Sequence, residues 1–164
     1  MNKAKSFIIA AVLLFITWIL LSGIATQELI FGSITALIIS LLFLNRLTVL
    51  GDIRFGIKPF IFSIGYFFIF SWELLKSNLD VARRVISPKL PINPGIVKVK
   101  TKLKSPLGRA FLANSITLTP GTLTVEMRGE YYYIHWIDVT GSDINCATDK
   151  IVAKFEKYLE VIFG

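Results

Sequence analysis

Few residues in this sequence have types and spacing that could do chemistry. His135 is the one histidine, and Asp138 follows it within His135-Trp136-Ile137-Asp138. Acid/base work is the chemistry such neighbours suggest, yet three residues apart on a strand they fall on opposite faces, so His135 reads as structural. A single histidine excludes a histidine-rich metal site, and neither a phosphate-binding glycine loop nor a nucleophile triad is recognisable. Cys146 is the one cysteine. It excludes an internal disulfide, fits a reducing compartment and reads as a buried small side chain rather than a reactive thiol. Ser115, Thr117, Thr119 and Thr122 form a hydroxyl cluster in sequence, for which strand and turn preference is a sufficient explanation. Asn114 reads as a turn or cap residue. No cofactor or metal is expected.

Two charged features stand apart. Glu73 is the one acidic residue inside an apolar segment, which makes it a candidate for an ion or proton pathway. The competing reading is a helix-surface ion pair, because Lys76 lies three positions on and Trp72 marks an interface. Asp80 with Arg83 and Arg84 gives a similar pairing. The second feature is a row of lysines, Lys98, Lys100, Lys102 and Lys104, alternating with Val97, Val99, Thr101 and Leu103. A period of two means a half-buried strand with lysines on its wet side. Those lysines could bind lipid headgroups, bind an acidic neighbour, or protect an edge strand from aggregation. The three readings stay open.

The elements that must position these residues fall in two regions. Apolar residues crowd the first 75 of the 164 positions, and charge and turn signals follow Lys76. Lys3 and Lys5 precede a first segment, about 6–24, read as a retained helix in preference to a cleaved signal peptide. A second, about 28–45, is short for a hydrocarbon core, and the two should form a tight antiparallel hairpin. Gly32, Ser33, Ala36 and Ser40 keep to one face there, so Gly32 and Ala36 are candidate contacts to a neighbouring helix. Pro59 opens a third, aromatic segment over about 59–86, whose last turns extend beyond the bilayer until Ser87-Pro88 ends them. Thirteen of the 18 Lys/Arg lie after the third segment begins, and that majority places the carboxyl-terminal part in the cytoplasm. The expected layout is about three membrane helices in residues 1–87 with the amino terminus outside. A two-span version with an interfacial third helix is the alternative.

Residues 88–164 read as a small α+β domain. A lysine-bearing strand comes first, then a short helix from Ser105-Pro106 through Ala113, capped by the serine. Strands joined by Pro120-Gly121 and by Arg128-Gly129-Glu130 make a three-stranded meander over Asn114–Trp136. Gly141-Ser142-Asp143 breaks the pattern, and Ile144–Phe163 closes it as one amphipathic helix with Ile151, Phe155, Leu159 and Ile162 in a stripe.

Pro94-Gly95-Ile96-Val97, the run from Leu112 through Asn114-Ser115-Ile116-Thr117-Leu118-Thr119-Pro120-Gly121-Thr122, and His135-Trp136-Ile137-Asp138 resemble hallmarks of one family. It is the MrpE/MnhE family, the E component of the Mrp-type (also called Mnh) multisubunit sodium/proton antiporter of bacteria. The likeness covers the amino-terminal part in layout and about Asn78 to Asp138 in residues, while Lys98, Lys100 and Lys102 depart from it. The resemblance implies a non-catalytic accessory subunit of a hetero-oligomeric complex in the cell membrane, exchanging sodium or other monovalent cations for protons. Larger subunits would carry the ion path, and this one would serve assembly, stability or support of transport. Physical reasoning agrees: three apolar segments cannot supply the repeated halves and midplane charges of a transporter. An enzyme would need convergent ionisable groups in a pocket, which the sequence does not show. The other reading is a membrane-tethered basic domain that binds anionic lipid or nucleic acid, prompted by a net charge of +7. Against nucleic acid stands the high apolar content, so the expected partners are other subunits and membrane lipids.

Overall fold

The computed structural model describes residues 3–141 and 143–164, so Ser142 of the expected break lies outside the described residues. The chain packs as two compact units, Met1–Ile53 and Arg54–Gly164.

The first unit is a helical hairpin. Helix α1 spans Lys3–Ser22 and α2 spans Thr26–Leu42. Between them Gly23 takes a φ of +89°, open to glycine at little cost. The small face of α2 is the packing seam, with Gly32, Ala36 and Ser40 buried. A Cβ on Gly32 would stand 2.5 Å from Trp18 Cδ1, so glycine is what admits the indole. Trp18 Nε1 in turn donates to Glu28 Oε2 at 3.2 Å. After α2 a short 3-10 helix, Leu47–Asp52, returns to the start of α1. Lys5 Nζ donates to the carbonyls of Gly51 (3.0 Å) and Ile53 (2.5 Å), and Ser6 Oγ to that of Thr48 (3.2 Å).

The second unit begins with α3, Ile57–Ile86, continues through β1 (Gly95–Lys100), α4 (Pro106–Leu118), β2 (Thr122–Arg128) and β3 (Tyr131–Trp136), and ends with α5 (Ile144–Ile151) and α6 (Ala153–Phe163). Among the described residues α1 and α3 are long and apolar enough to cross a membrane, while α2 is shorter at 17 residues. By packing, α3 goes with the carboxyl-terminal unit.

The sheet is antiparallel with order β1-β3-β2, so it is not a meander. The expected strand over Asn114–Leu118 is the second half of α4. Ser105 Oγ caps that helix by accepting from Gly108 N at 3.0 Å, and Pro106 occupies its first turn. Burial of Leu112, Ser115 and Ile116 continues the helical period past Ala113. Ser115 and Thr119 hydroxyls donate back to Phe111 and Ser115 carbonyls, and burial of Ile116 in the core holds this stretch helical against its β-branched preference. Pro120-Gly121 does turn the chain: Gly121 has φ +92° and Thr122 N donates to Thr119 O at 3.2 Å. The turn joins α4 to β2 instead of two strands. Gly129, with φ +55°, makes the β2–β3 turn as expected.

Alternation along β1 is as read: Val97, Val99, Thr101 and Leu103 are buried, although the strand proper ends at Lys100. With Leu112, Ile116, Tyr132, Ile134, Phe155 and Leu159 they form the core, so α4 and the α5–α6 pair cover one face of the sheet. The other face is bare, carrying Ile96, Lys98, Tyr131, Tyr133 and His135. The expected single closing helix is broken at Val152 (φ −95°, ψ −48°), which is wholly buried. Its stripe of Ile151, Phe155, Leu159 and Ile162 is buried as expected.

Helix α3 lies along α6 and α4. The Phe62 and Phe70 rings meet Tyr158 and Phe155 at centroid distances of 5.9 and 6.3 Å. A Cβ on Gly65 would come within 2.9 Å of the Tyr158 ring, and the Tyr66 hydroxyl bonds that of Ser115.

Candidate functional site

Where α3, α6 and the Pro120-Gly121 turn converge, they enclose a cleft of about 260 Å3. Its charged lining is Glu73, Lys76, Asp80, Arg84, Asp138, Lys150 and Lys154. Glu73 shares the inward face of α3 with Tyr66, Phe70 and Ser77, while Lys76 stands at the rim of the cleft, exposed, on the flank of the helix. The expected Glu73–Lys76 pair does not form. Glu73 instead makes a close ion pair with Lys154 of α6, with side chains 15% and 28% exposed respectively. Lower in the cleft Arg84 acts as a fork. Its Nε meets Asp80 Oδ2 at 2.8 Å, as expected from sequence, and its Nη1 meets Asp138 Oδ2 at 3.0 Å and donates to Pro91 O at 2.6 Å. Asp138 thus fastens the strand end to α3, while His135 is exposed on the bare sheet face and takes no part. Lys150 Nζ donates to Thr140 Oγ1 at 2.9 Å. Each carboxylate of the cleft is met by a cation, so these ion pairs tie α3 to α6 and to the end of β3. Among the described residues no group of three His, Cys, Asp or Glu is placed to hold a metal ion.

The lysine row divides. Lys98 Nζ sits 3.9 Å above the Tyr131 ring, a cation–π contact, and Lys100 Nζ lies 3.4 Å from Glu130 Oε2. Both project from the bare face. Lys102 and Lys104 follow the strand and are exposed. β1 is an edge strand whose carboxyl-terminal end is engaged by the closing helices: Lys100 N donates to Thr148 Oγ1 of α5 at 3.0 Å, and Lys102 N to Glu156 Oε1 of α6 at 2.7 Å. Gly32 and Ala36 are buried against α1, so their neighbouring helix belongs to this chain.

Two polar groups escape a reading of the sequence. Glu156 is buried and accepts from Thr101 Oγ1 at 2.5 Å as well as from Lys102 N. Its spacing of four from Val152 and three from Leu159 put it on the apolar side of α6, and that was the available signal. The Tyr132 hydroxyl donates to Arg109 O at 3.1 Å. Burial raises the Tyr132 phenol above its ordinary value, a shift that hydrogen bonding to Arg109 opposes.

Against known proteins, residues 11–162 match the family described as Na+/H+ ion antiporter subunit, MNHE. The Na(+)/H(+) antiporter E protein of Bacillus subtilis, a subunit of that transporter, is 34% identical over 157 residues, covering 94% of this chain and 96% of that one. Its counterpart in Alkalihalophilus pseudofirmus is 47% identical over 77 residues, 46% of this chain and about half (49%) of the relative's length. Among solved structures, a chain of the membrane-bound sulfane sulfur reductase, an archaeal respiratory membrane complex, superposes with a TM-score of 0.84. It is 42% identical, and the match covers 97% of this chain and 99% of that chain. The likeness in sequence runs through both the helical hairpin and the α+β head, and the chain belongs to the Na+/H+ ion antiporter subunit family, as a membrane component of a transporter rather than of a known enzyme class.

Proposed function

We propose that this chain is a non-catalytic accessory subunit of a multisubunit monovalent cation/proton antiporter, and that it supports assembly and stability of the complex. The observation that carries the reading is the match of 34% identity, across nearly the full length of both chains, to a protein named as a subunit of such an antiporter. The self-neutralised cleft agrees with it, since Glu73 is engaged by Lys154 and offers no vacant carboxylate to a travelling ion. Other subunits of the complex are the partners, and the bare sheet face with Lys98 and Lys100 is a surface for an acidic neighbour. Lys102 and Lys104 extend that surface past the strand. The head, residues 88–164, lies in the cytoplasm, where most of the basic residues are. Three full crossings are the sequence-based count. The packing of a charged head along α3 supports the two-span alternative.

A second reading is favoured by the structural comparison: the 42% identical chain belongs to a respiratory membrane complex, so the same subunit could serve an antiporter-like module joined to redox partners. Deletion of the subunit from its native host separates the readings. Everted membrane vesicles lacking it should lose Na+-induced collapse of a proton gradient, and a plasmid-borne copy should restore it. Unchanged exchange in the deletion strain would refute the antiporter reading. Loss of electron-donor-driven gradient formation instead would establish the second.

A further inference from the structure

We propose that α3 does not cross the bilayer but lies in its cytoplasmic surface, with its apolar face in the acyl and headgroup boundary and a flank of cations on anionic lipid. This rests on the reading of the chain as a membrane subunit. The two faces of α3 have different owners. Phe62, Tyr66, Phe70, Glu73, Ser77 and Arg84 turn toward α6, α4 and the strand ends, so the polar head is docked along the helix from its second turn to its last. A span needs lipid-compatible surface all round, and crossing would carry α6, with exposed Lys157 and Glu160 alongside, into hydrocarbon.

The opposite face is open and apolar over the same length, with Phe60, Phe68 and Trp72 62–67% exposed and Leu75 and Leu79 54% exposed. Lys58, Lys76 and Arg83 project along one margin of that face, all exposed and with no ion pair among the described residues. An apolar stripe with aromatic residues and a cationic border is the pattern of a helix lying in a bilayer interface.

Charge distribution points to the same occupant independently. If only α1 and α2 cross, the outer loop is Gly23–Ala25, which has no basic residue, and all 18 Lys/Arg lie on the cytoplasmic side. If α3 also crosses, Lys3, Lys5, Arg46, Arg54 and Lys58 are left outside, against the bias that orients membrane chains. A consequence follows for the lysine row. The bare sheet face and α3 are on opposite sides of the α4/α6 layer, so Lys98 and Lys100 point away from the lipid.

The test uses the full chain in native membranes, with Cys146→Ser, or Cys146→Ala should serine lower the yield, and single Lys58→Cys or Lys89→Cys substitutions. A membrane-impermeant maleimide should label both positions in inverted vesicles, with labelling of both lost in intact cells. Labelling of the two from opposite sides would overturn the proposal, because α3 would then cross. A nitroxide on Phe68→Cys should be relaxed by oxygen and shielded from a polar nickel complex. Shielding from both would show a protein partner on this face and would also overturn it. Release of the chain by alkaline carbonate would instead sink the membrane reading on which the proposal rests.

Discussion

Glu156→Ala should destabilise the head far more than Glu156→Gln, which keeps the length of the side chain and one acceptor oxygen. In the folded chain the Glu156 carboxylate accepts from the Thr101 hydroxyl at 2.5 Å and from Lys102 N at 2.7 Å, with the residue 8% exposed. Truncation leaves the Lys102 N–H without its partner, at about 1–3 kcal/mol, and forfeits a hydroxyl–carboxylate bond of about 1.5–3 kcal/mol. The Thr101 oxygen still accepts from Leu103 N at 3.2 Å, which limits the loss on that side. A total of about 3 kcal/mol results, since such terms add imperfectly. Glutamine keeps an acceptor oxygen and the volume, so it should cost about 1 kcal/mol. For a chain of this size each kcal/mol moves Tm by about 2–4 °C, which gives a fall of about 6–12 °C for alanine and about 2–4 °C for glutamine. Thermal unfolding of the full chain in mild detergent, followed by circular dichroism, reads both. Thr101→Val combined with Glu156→Ala should cost about 1 kcal/mol less than the separate losses summed. Equal Tm values for the alanine and glutamine variants would refute the claim that this carboxylate latches β1 to α6.

Three further outcomes follow from other parts of the chain. Lys154→Met strands Glu73 at a partly buried site and should cost about 1–3 kcal/mol, between an exposed and a buried pair; adding Glu73→Gln should recover most of the loss in the same melt, and exchange activity with it. Recovery of stability without recovery of exchange would return Glu73 to the ion path. Tyr132 holds its proton more tightly when folded than its ordinary 10.0, so its contribution is complete below that pH and falls as pH rises through it toward the folded value. Tyr132→Phe should lose about 1 kcal/mol at neutral pH, from the bond to Arg109 O, and show a shallower decline in Tm above pH 10.0. Lys98→Glu with Lys100→Glu should leave membrane association unchanged and lower Tm by about 2–4 °C, from loss of the exposed Lys98–Tyr131 and Lys100–Glu130 contacts, yet weaken retention of a neighbouring subunit during purification.

How much could be read beforehand follows the range of the interactions. Alternation at Val97–Leu103, the Ser105 cap, the Pro120-Gly121 turn and the small-residue face of α2 are local patterns, and each has its structural counterpart. Ile116-Thr117-Leu118 misleads because β-branched residues prefer strands, while their helix is imposed by burial of Ile116 and by hydroxyls bonding back along α4. The Glu73–Lys154 pair spans 81 positions, so no window of sequence links it, and the nearer Lys76 was the partner that spacing suggested. Placement of β1 beside β3 is likewise invisible locally, since α4 intervenes in sequence between β1 and the strands it joins. The two faces of α3 are both apolar in their upper half, and only the fold assigns one to the head and leaves the other open.

Central to the account is membership in a larger membrane assembly, and the direct measurement is affinity purification of the tagged full chain from native membranes in a mild detergent. Mass analysis should find several larger membrane proteins in fixed ratio to it, with the Lys98→Glu/Lys100→Glu variant recovering fewer of them. Recovery of the chain alone from several gentle detergents, with its own fold intact, would contradict the account.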